Sequence, residues 1–401
     1  MTTARAEVEA MDAADPLASY REQFVVADPD LIYLDGNSLG MLPRATRQRV
    51  IEVLDDDWGS HLIRSWDDRW IDLPGRVGDA IGIGLLGGAS GETIVGDSTT
   101  IALYKAIAAA LDARPGRRCI VIERDNFPTD RYVVESLAAQ RGLDIRWIDE
   151  AGSDGVSLDD LERVLDADVA VAVLSHVDYR SAALLDLPTF TTAIHSCGAL
   201  VVWDLCHSAG VVPIDLAAAG ADVAVGCTYK YLNGGPGAPS YTWVRGDLLT
   251  ELRQPIWGWW GRQQMFDMEQ GYAPTPDMRA WLTGTPSVLS LAAIEPGVAM
   301  TVEAGVASIR RKSEALLTLA VRLYDELLGP AGFGLGTTRD PARRGSHLTL
   351  THPEAERVTC HLIAGGIIPD FRRPDGIRLG LAPLTTRFTD VYDAARRITS
   401  V

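Results

Sequence analysis

Cysteine is scarce: the chain has five (Cys119, Cys197, Cys206, Cys227 and Cys360), an odd set without a Cys-x-x-Cys pair. That pattern excludes a disulfide framework and a cysteine zinc site, and it implies a reducing, cytoplasmic setting. Apolar runs of the roughly 18 residues needed to cross a bilayer are missing, and the opening MTTARAEVEAMDAAD is polar and mixed in charge, so it reads as neither signal peptide nor anchor. Positive charge is also short, since 37 Lys and Arg face 54 Asp and Glu for a formal charge of −17. Such a field repels nucleic acid and anionic lipid, so neither a nucleic-acid nor a membrane partner is expected. Low-complexity tracts and solenoid repeats are absent, which leaves a site on a compact fold as the source of function. His347, His352 and His361 lack a clustered ligand spacing; they read as structural, and no metal is expected.

What is present is apolar and periodic. With 401 residues and 47% hydrophobic types, the chain can bury a large core and is long enough for more than one structural unit. Between residues 93 and 245 the short runs CIVIE, DIRWI, VAVAVL, ALVVWD and DVAVGC alternate with amphipathic segments such as TDRYVVESLAAQRG and LPTFTTAIHSCG. Continuous Val, Ile and Ala in short runs mark strands buried on both faces, and segments of helical period ending at Gly mark crossover helices. The expected fold class is therefore α/β, a large domain with a mainly parallel sheet covered by helices. After the tryptophans near 257–260 the pattern changes: 296–328 reads as one long helix, and LTLTH and IRLGL read as isolated strands of a smaller α/β unit. The turn-rich YLDGNSLGMLP is expected to lie along the site or to join that unit. The division expected is 1–45 joining the smaller domain, 46–290 as the large domain and 291–401 as the smaller one.

Two charged residues sit where such a sheet exposes chemistry. Lys230 follows the strand DVAVGC and precedes a Gly-rich turn, and open α/β sheets bind ligands outside the carboxyl ends of their strands. A lysine there is either a solvated surface group or an amine placed to condense with an aldehyde. Asp204 ends ALVVWD on the same edge, as a turn cap or as a carboxylate for a protonated pyridine nitrogen. An acid and a lysine so placed are what a pyridoxal-phosphate site requires, with His207 three residues beyond Asp204. GDSTTIALYKAIAAALDA adds a helix start with hydroxyls at Ser98, Thr99 and Thr100, which suits a phosphate. Gly82, Gly84 and Gly87 match G-x-G-x-x-G, but no strand precedes them and no ribose-binding acid follows Gly82 at about 20 residues, so they read as helix packing or a flexible turn.

Taken together, YLDGNSLG (33–40), LIRSW (62–66), NFPTD (126–130), SHVDYRSA (175–182), WDLCHSAG (203–210), GCTYKYLNGGPG (226–237), GWWG (258–261) and RRGSH (343–347) resemble the kynureninase family of fold type I, aspartate-aminotransferase-like enzymes. The resemblance runs over nearly the whole chain. It implies pyridoxal 5'-phosphate held by Lys230 as a Schiff base, with Asp204 on the pyridine nitrogen and Phe127 against the ring. Asp130, Ser175 and His207 match other cofactor positions, and Thr99, Thr100 and Tyr229 match the phosphate side. Trp259 and Thr285 match positions that reach the phosphate from the neighbouring subunit, which implies a homodimer with shared active sites. Arg378 matches the arginine for the substrate carboxylate, and Trp66, with Tyr33 to Ser38 (Asn37 and Ser38 among them), matches the substrate's aromatic end. The implied reaction is hydrolysis of L-kynurenine to anthranilate and L-alanine, in tryptophan catabolism and NAD biosynthesis. Tyr229 is then the candidate proton relay, beside Lys230 and Asp204 as catalytic residues. Cys206 for alanine, and Trp260 and Arg262 for the usual Phe and His, depart from the pattern. The alternatives are a cysteine desulfurase or aminotransferase on the same fold, or a non-catalytic protein that binds the cofactor.

Overall fold

The computed structural model describes residues 3–149 and 152–400. Its centre is a seven-stranded sheet of β1 (Thr93–Val95), β2 (Cys119–Glu123), β3 (Asp144–Ile148), β4 (Val169–Ser175), β5 (Leu200–Asp204), β6 (Val223–Cys227) and β7 (Ser240–Val244), in the spatial order β1-β7-β6-β5-β4-β2-β3. β2 to β6 run parallel, and β7 is antiparallel to both of its neighbours. The expected mainly parallel sheet is therefore present, and each expected strand falls within a residue or so of its run.

The reason for the apolar runs is visible in β4, where Ala172 and Leu174 join the core on one face and Val171 and Val173 the core on the other. Both faces of a period-two strand are then buried, so no position tolerates a charge until the strand ends. The Ala-rich helix Thr99–Asp112 lies on one face, with Ala106, Ala108, Ala109 and Ala110 wholly buried. On the other face the helix Leu73–Leu85 approaches β1 so closely that a Cβ on Gly78 would lie 2.3 Å from the Thr93 carbonyl oxygen, and one on Gly82 would lie 2.2 Å from Thr93 Oγ1. The G-x-G-x-x-G spacing is thus helix packing, as its context implied.

The smaller unit holds an antiparallel sheet of β8 (Gly334–Leu335), β9 (His347–Thr351), β10 (Asp370–Arg372) and β11 (Gly376–Gly380), ordered β10-β11-β9-β8. LTLTH and IRLGL are therefore direct neighbours, Thr349 opposite Arg378, rather than isolated strands. The N-terminal segment joins this unit: Val8, Ile32 and Leu34 enter its core, and Asp12 accepts hydrogen bonds from Phe388 N and Thr389 N at 2.7 and 3.1 Å, capping the helix Phe388–Ile398.

The expectation of one helix over 296–328 is corrected. Two helices, Val288–Ala304 and Val306–Leu323, meet at Gly305 (φ 75°) with a bend of 81°. Pro296 lies inside the first helix because Leu291, Ile294 and Val298 are buried in the large core, and that burial outweighs the local cost of proline. Among the described residues no single helix is long and apolar enough to cross a membrane, and this bent pair passes only by length and composition.

Candidate active site

The carboxyl ends of β2, β4, β5 and β6 lie on one edge, since Ser175 pairs with Asp204 and Asp204 with Val225 in register. The first turns beyond these ends build a cavity of about 160 Å³, lined among others by Ser98, Thr99, Thr100, Phe127, Asp130, Asp204, His207, Tyr229 and Lys230. Eight expected cofactor residues are thus brought together on one chain. Thr129, Cys206, Gly237 and Ala238 also line it and were not assigned a contact from sequence, although Thr129 lies inside the NFPTD run.

Lys230 is 9% exposed, its Nζ 3.1 Å from His207 Nε2 and 5.9 Å from the centre of the Phe127 ring. Burial, and then the charges of Lys230 and Arg378, push the His207 pKa well below its ordinary value. The imidazole is therefore neutral and can accept a hydrogen bond from the lysine. Across the cavity Asp204 Oδ1 accepts from Cys206 N at 2.7 Å. Burial and then the Asp204 charge push the Asp130 carboxyl well above its ordinary value. Burial and the neighbouring Cys227 and Cys206 thiols likewise raise the Tyr229 phenol, which also stays protonated.

A phosphorylated aromatic aldehyde fits what is left unsatisfied. Asp130 Oδ2 and Thr99 Oγ1 are buried without a hydrogen-bond partner among the described residues, and Ser98, at the N-cap of Thr99–Asp112, makes no side-chain cap. The first-turn N–H groups of that helix have no intrahelical acceptor, so the helix start offers donors and positive potential to an anion. An amine, two acids, a neutral histidine and a phenylalanine face surround the remaining space.

Other expected residues lie elsewhere. Ser175 is one layer behind, its Oγ donating to Asn126 Oδ1 at 3.0 Å and its N–H to Glu123 Oε1 at 2.8 Å. Glu123, whose carboxyl burial raises to about 8, also accepts from Asn126 Nδ2 at 2.6 Å. This buried acid braces the Asn126–Phe127 turn and was missed from sequence. Arg378 is 1% exposed and donates to the Tyr179 carbonyl and to Ser38 Oγ, both at 2.7 Å. Asn37 is buried against β11, where a Cβ on Gly380 would come within 1.8 Å of its Oδ1. Trp66, Trp259 and Thr285 are not brought to Lys230: they line a separate cavity of about 310 Å³ with Trp260 and Phe266. Arg262 turns onto its own loop, donating to the Gln263 and Gly271 carbonyls.

A family model described as "Kynureninase C-terminal domain" matches residues 309–398. The chain is 43% identical to a kynureninase of Pseudomonas fluorescens over 98% of its own length and 94% of that relative. It is also 43% identical to one of Burkholderia pseudomallei strain K96243, over 99% and 95%. Among solved structures it is similar to a cysteine desulfurase of Thermococcus onnurineus NA1 (TM-score 0.80, 17% identity, 100% and 99% covered) and to one of Escherichia coli (TM-score 0.78, 18%, 96% and 97%). At those identities the structures establish the fold alone.

Proposed function

The chain belongs to the kynureninase family of pyridoxal-phosphate-dependent hydrolases, and from that premise we propose how its own residues cleave L-kynurenine to anthranilate and L-alanine. The observation that carries the reading is the joining of Lys230, Asp204, Asp130, His207 and the Ser98–Thr100 helix start around one cavity. Pyridoxal phosphate, when bound, supplies an aldehyde that captures an amine and a ring that accepts an electron pair. Lys230 is the amine that would hold it, and Asp204, with Asp130 beside it, would pair with the pyridine nitrogen. Phe127 would pack on its ring, and Thr99 and Thr100 with Tyr229 would hold its phosphate.

Once substrate displaces it, the Lys230 amine takes the Cα proton, with His207 Nε2 close enough to orient it. Water adds to the γ-carbonyl, the Cβ–Cγ bond breaks so that the aroyl half leaves as the anthranilate carboxylic acid, and Tyr229, which keeps its phenolic proton, donates to the β-carbon that retains the electron pair. Arg378 fixes the substrate carboxylate, so that each transfer proceeds from one orientation. We further propose that residues 291–401, joined by 1–45, close Arg378 and Ser38 over the cavity. The aromatic cavity of Trp66, Trp259 and Thr285 then completes the site of a second copy, in a homodimer. Its partial exposure supports that role, with Trp259 38% and Phe266 61% exposed.

Turnover of a panel of ring-substituted kynurenines, read by the fluorescence of the anthranilates, gives the substituent preference. K230A should lose both the cofactor's visible band and turnover. Retention of both, or sulfide release from cysteine with no anthranilate from any kynurenine, would overturn the assignment.

A further inference from the structure

One face of the small sheet carries three charges, and the reaction accounts for only one of them, Arg378. Asp370 and Arg372 are two residues apart on β10 and project to the same side, and Asp370 stands directly across from Arg378 on β11. Their ends meet: Asp370 Oδ2 lies 2.6 Å from Arg378 Nη2 and 2.6 Å from Arg372 Nε. Two guanidinium groups therefore stand at ion-pair distance from one carboxylate oxygen, and neither contact has hydrogen-bond geometry. Their settings differ, since the Arg378 side chain is 1% exposed and that of Arg372 is 34% exposed.

A buried guanidinium is costly without an anion, so Arg378 needs a partner whenever substrate is absent. Tyr179 and Ser38 offer it only neutral oxygens, and Arg378 Nε has no hydrogen-bond partner among the described residues. Asp370 supplies the charge. An incoming carboxylate meets an arginine that already has one beside it, and Arg372, partly exposed and beside the same oxygen, is placed to receive Asp370 when it lets go.

Resting on the reading of Arg378 as the substrate-carboxylate group, we propose that Asp370 is the resting occupant of the Arg378 fork. Substrate binds by carboxylate exchange, with Arg372 taking over the displaced Asp370. Asp370 and Arg372 are then positioning residues that set affinity in opposite senses. A group that merely oriented Arg378 would weaken binding when removed, whereas a competitor strengthens it.

The test uses the holoenzyme and L-alanine, with equilibrium binding read from the cofactor's absorption and from the ligand-induced thermal shift. D370N should bind L-alanine roughly tenfold tighter, the scale of one close ion pair no longer to be broken, and should gain a larger thermal shift than the parent. R372Q should bind several-fold more weakly, because Asp370 then stays on Arg378. D370N/R372Q should bind like D370N, since Arg372 acts through Asp370. Unchanged or weaker binding by D370N, while R378A loses binding, would overturn the exchange alone. R378A binding L-alanine like the parent would overturn the Arg378 reading and the exchange with it. Should D370N not fold, R372Q decides by itself, and unaltered binding there refutes the proposal.

Discussion

Replacing Gly40 with alanine should impair Lys230, the proposed catalytic lysine, by displacing the segment that carries it. Gly40 N donates to the Tyr229 carbonyl at 2.8 Å, which fastens the N-terminal turn to the segment that carries Lys230. A Cβ at residue 40 would lie 2.3 Å from the Lys230 carbonyl oxygen and 2.3 Å from Asn233 Oδ1, where ordinary contact begins at 3.4 Å. About 1 Å must be found, and one obstacle is main chain that cannot rotate away. Overpacking of this kind costs about 1–3 kcal/mol. Because the obstacle belongs to Lys230 itself, its amine moves too, and a misplacement of about 1 Å lowers a rate on the order of 100-fold. Urea unfolding of G40A against the parent measures the first effect, and kcat by anthranilate fluorescence measures the second. A G40A enzyme with parental stability and parental kcat would refute the claim that this loop positions the lysine.

R378A should raise KM for kynurenine on the order of 100-fold, the scale of a lost charge-assisted bidentate pair, and steady-state kinetics that leave KM unchanged would remove the carboxylate role. D204N should lower kcat at least about 100-fold with little change in KM, because the lost interaction matters after binding; an equal loss in both parameters would contradict that. Burial, with a further push from the Asp370 charge, raises Asp35 to about 6 from its ordinary 3.8. The folded state then holds a proton that the unfolded chain has released, so Asp35 favours folding fully below pH 3.8 and loses that effect as pH rises through 6. Chemical denaturation of D35N and the parent from pH 4 to 8 should show the parent losing on the order of 2 kcal/mol relative to the variant. A pH-independent gap would contradict the burial.

The strands of the large sheet were legible because burial on both faces leaves an uninterrupted apolar run, and the charge that breaks the run marks its carboxyl end. Asp204 and Lys230 could be found for that reason. Glu123 ends CIVIE in the same way, yet its partners Ser175 and Asn126 are known only once β2 and β4 are paired. Asp370 and Arg372 carry no local signal, since only the pairing of β10 with β11 places them beside Arg378. The break at Gly305 was hidden because Pro296 is the stronger local breaker, and only the core contacts of Leu291, Ile294 and Val298 show why the helix runs through it. The tryptophan cavity is likewise tertiary, joining Trp66 to Trp260 with ring centres 5.1 Å apart.

The cap that Asp12 places on the helix Phe388–Ile398 ties together two segments 376 positions apart. At ribosomal speeds of roughly 5–20 residues per second, the amphipathic start waits roughly 20–75 s before its acceptor surface exists. During that interval Val8 has no home, and the smaller unit stays open. Synthesis of the helix Phe388–Ile398, rather than of the large sheet, therefore times the moment at which this enzyme's smaller unit can close.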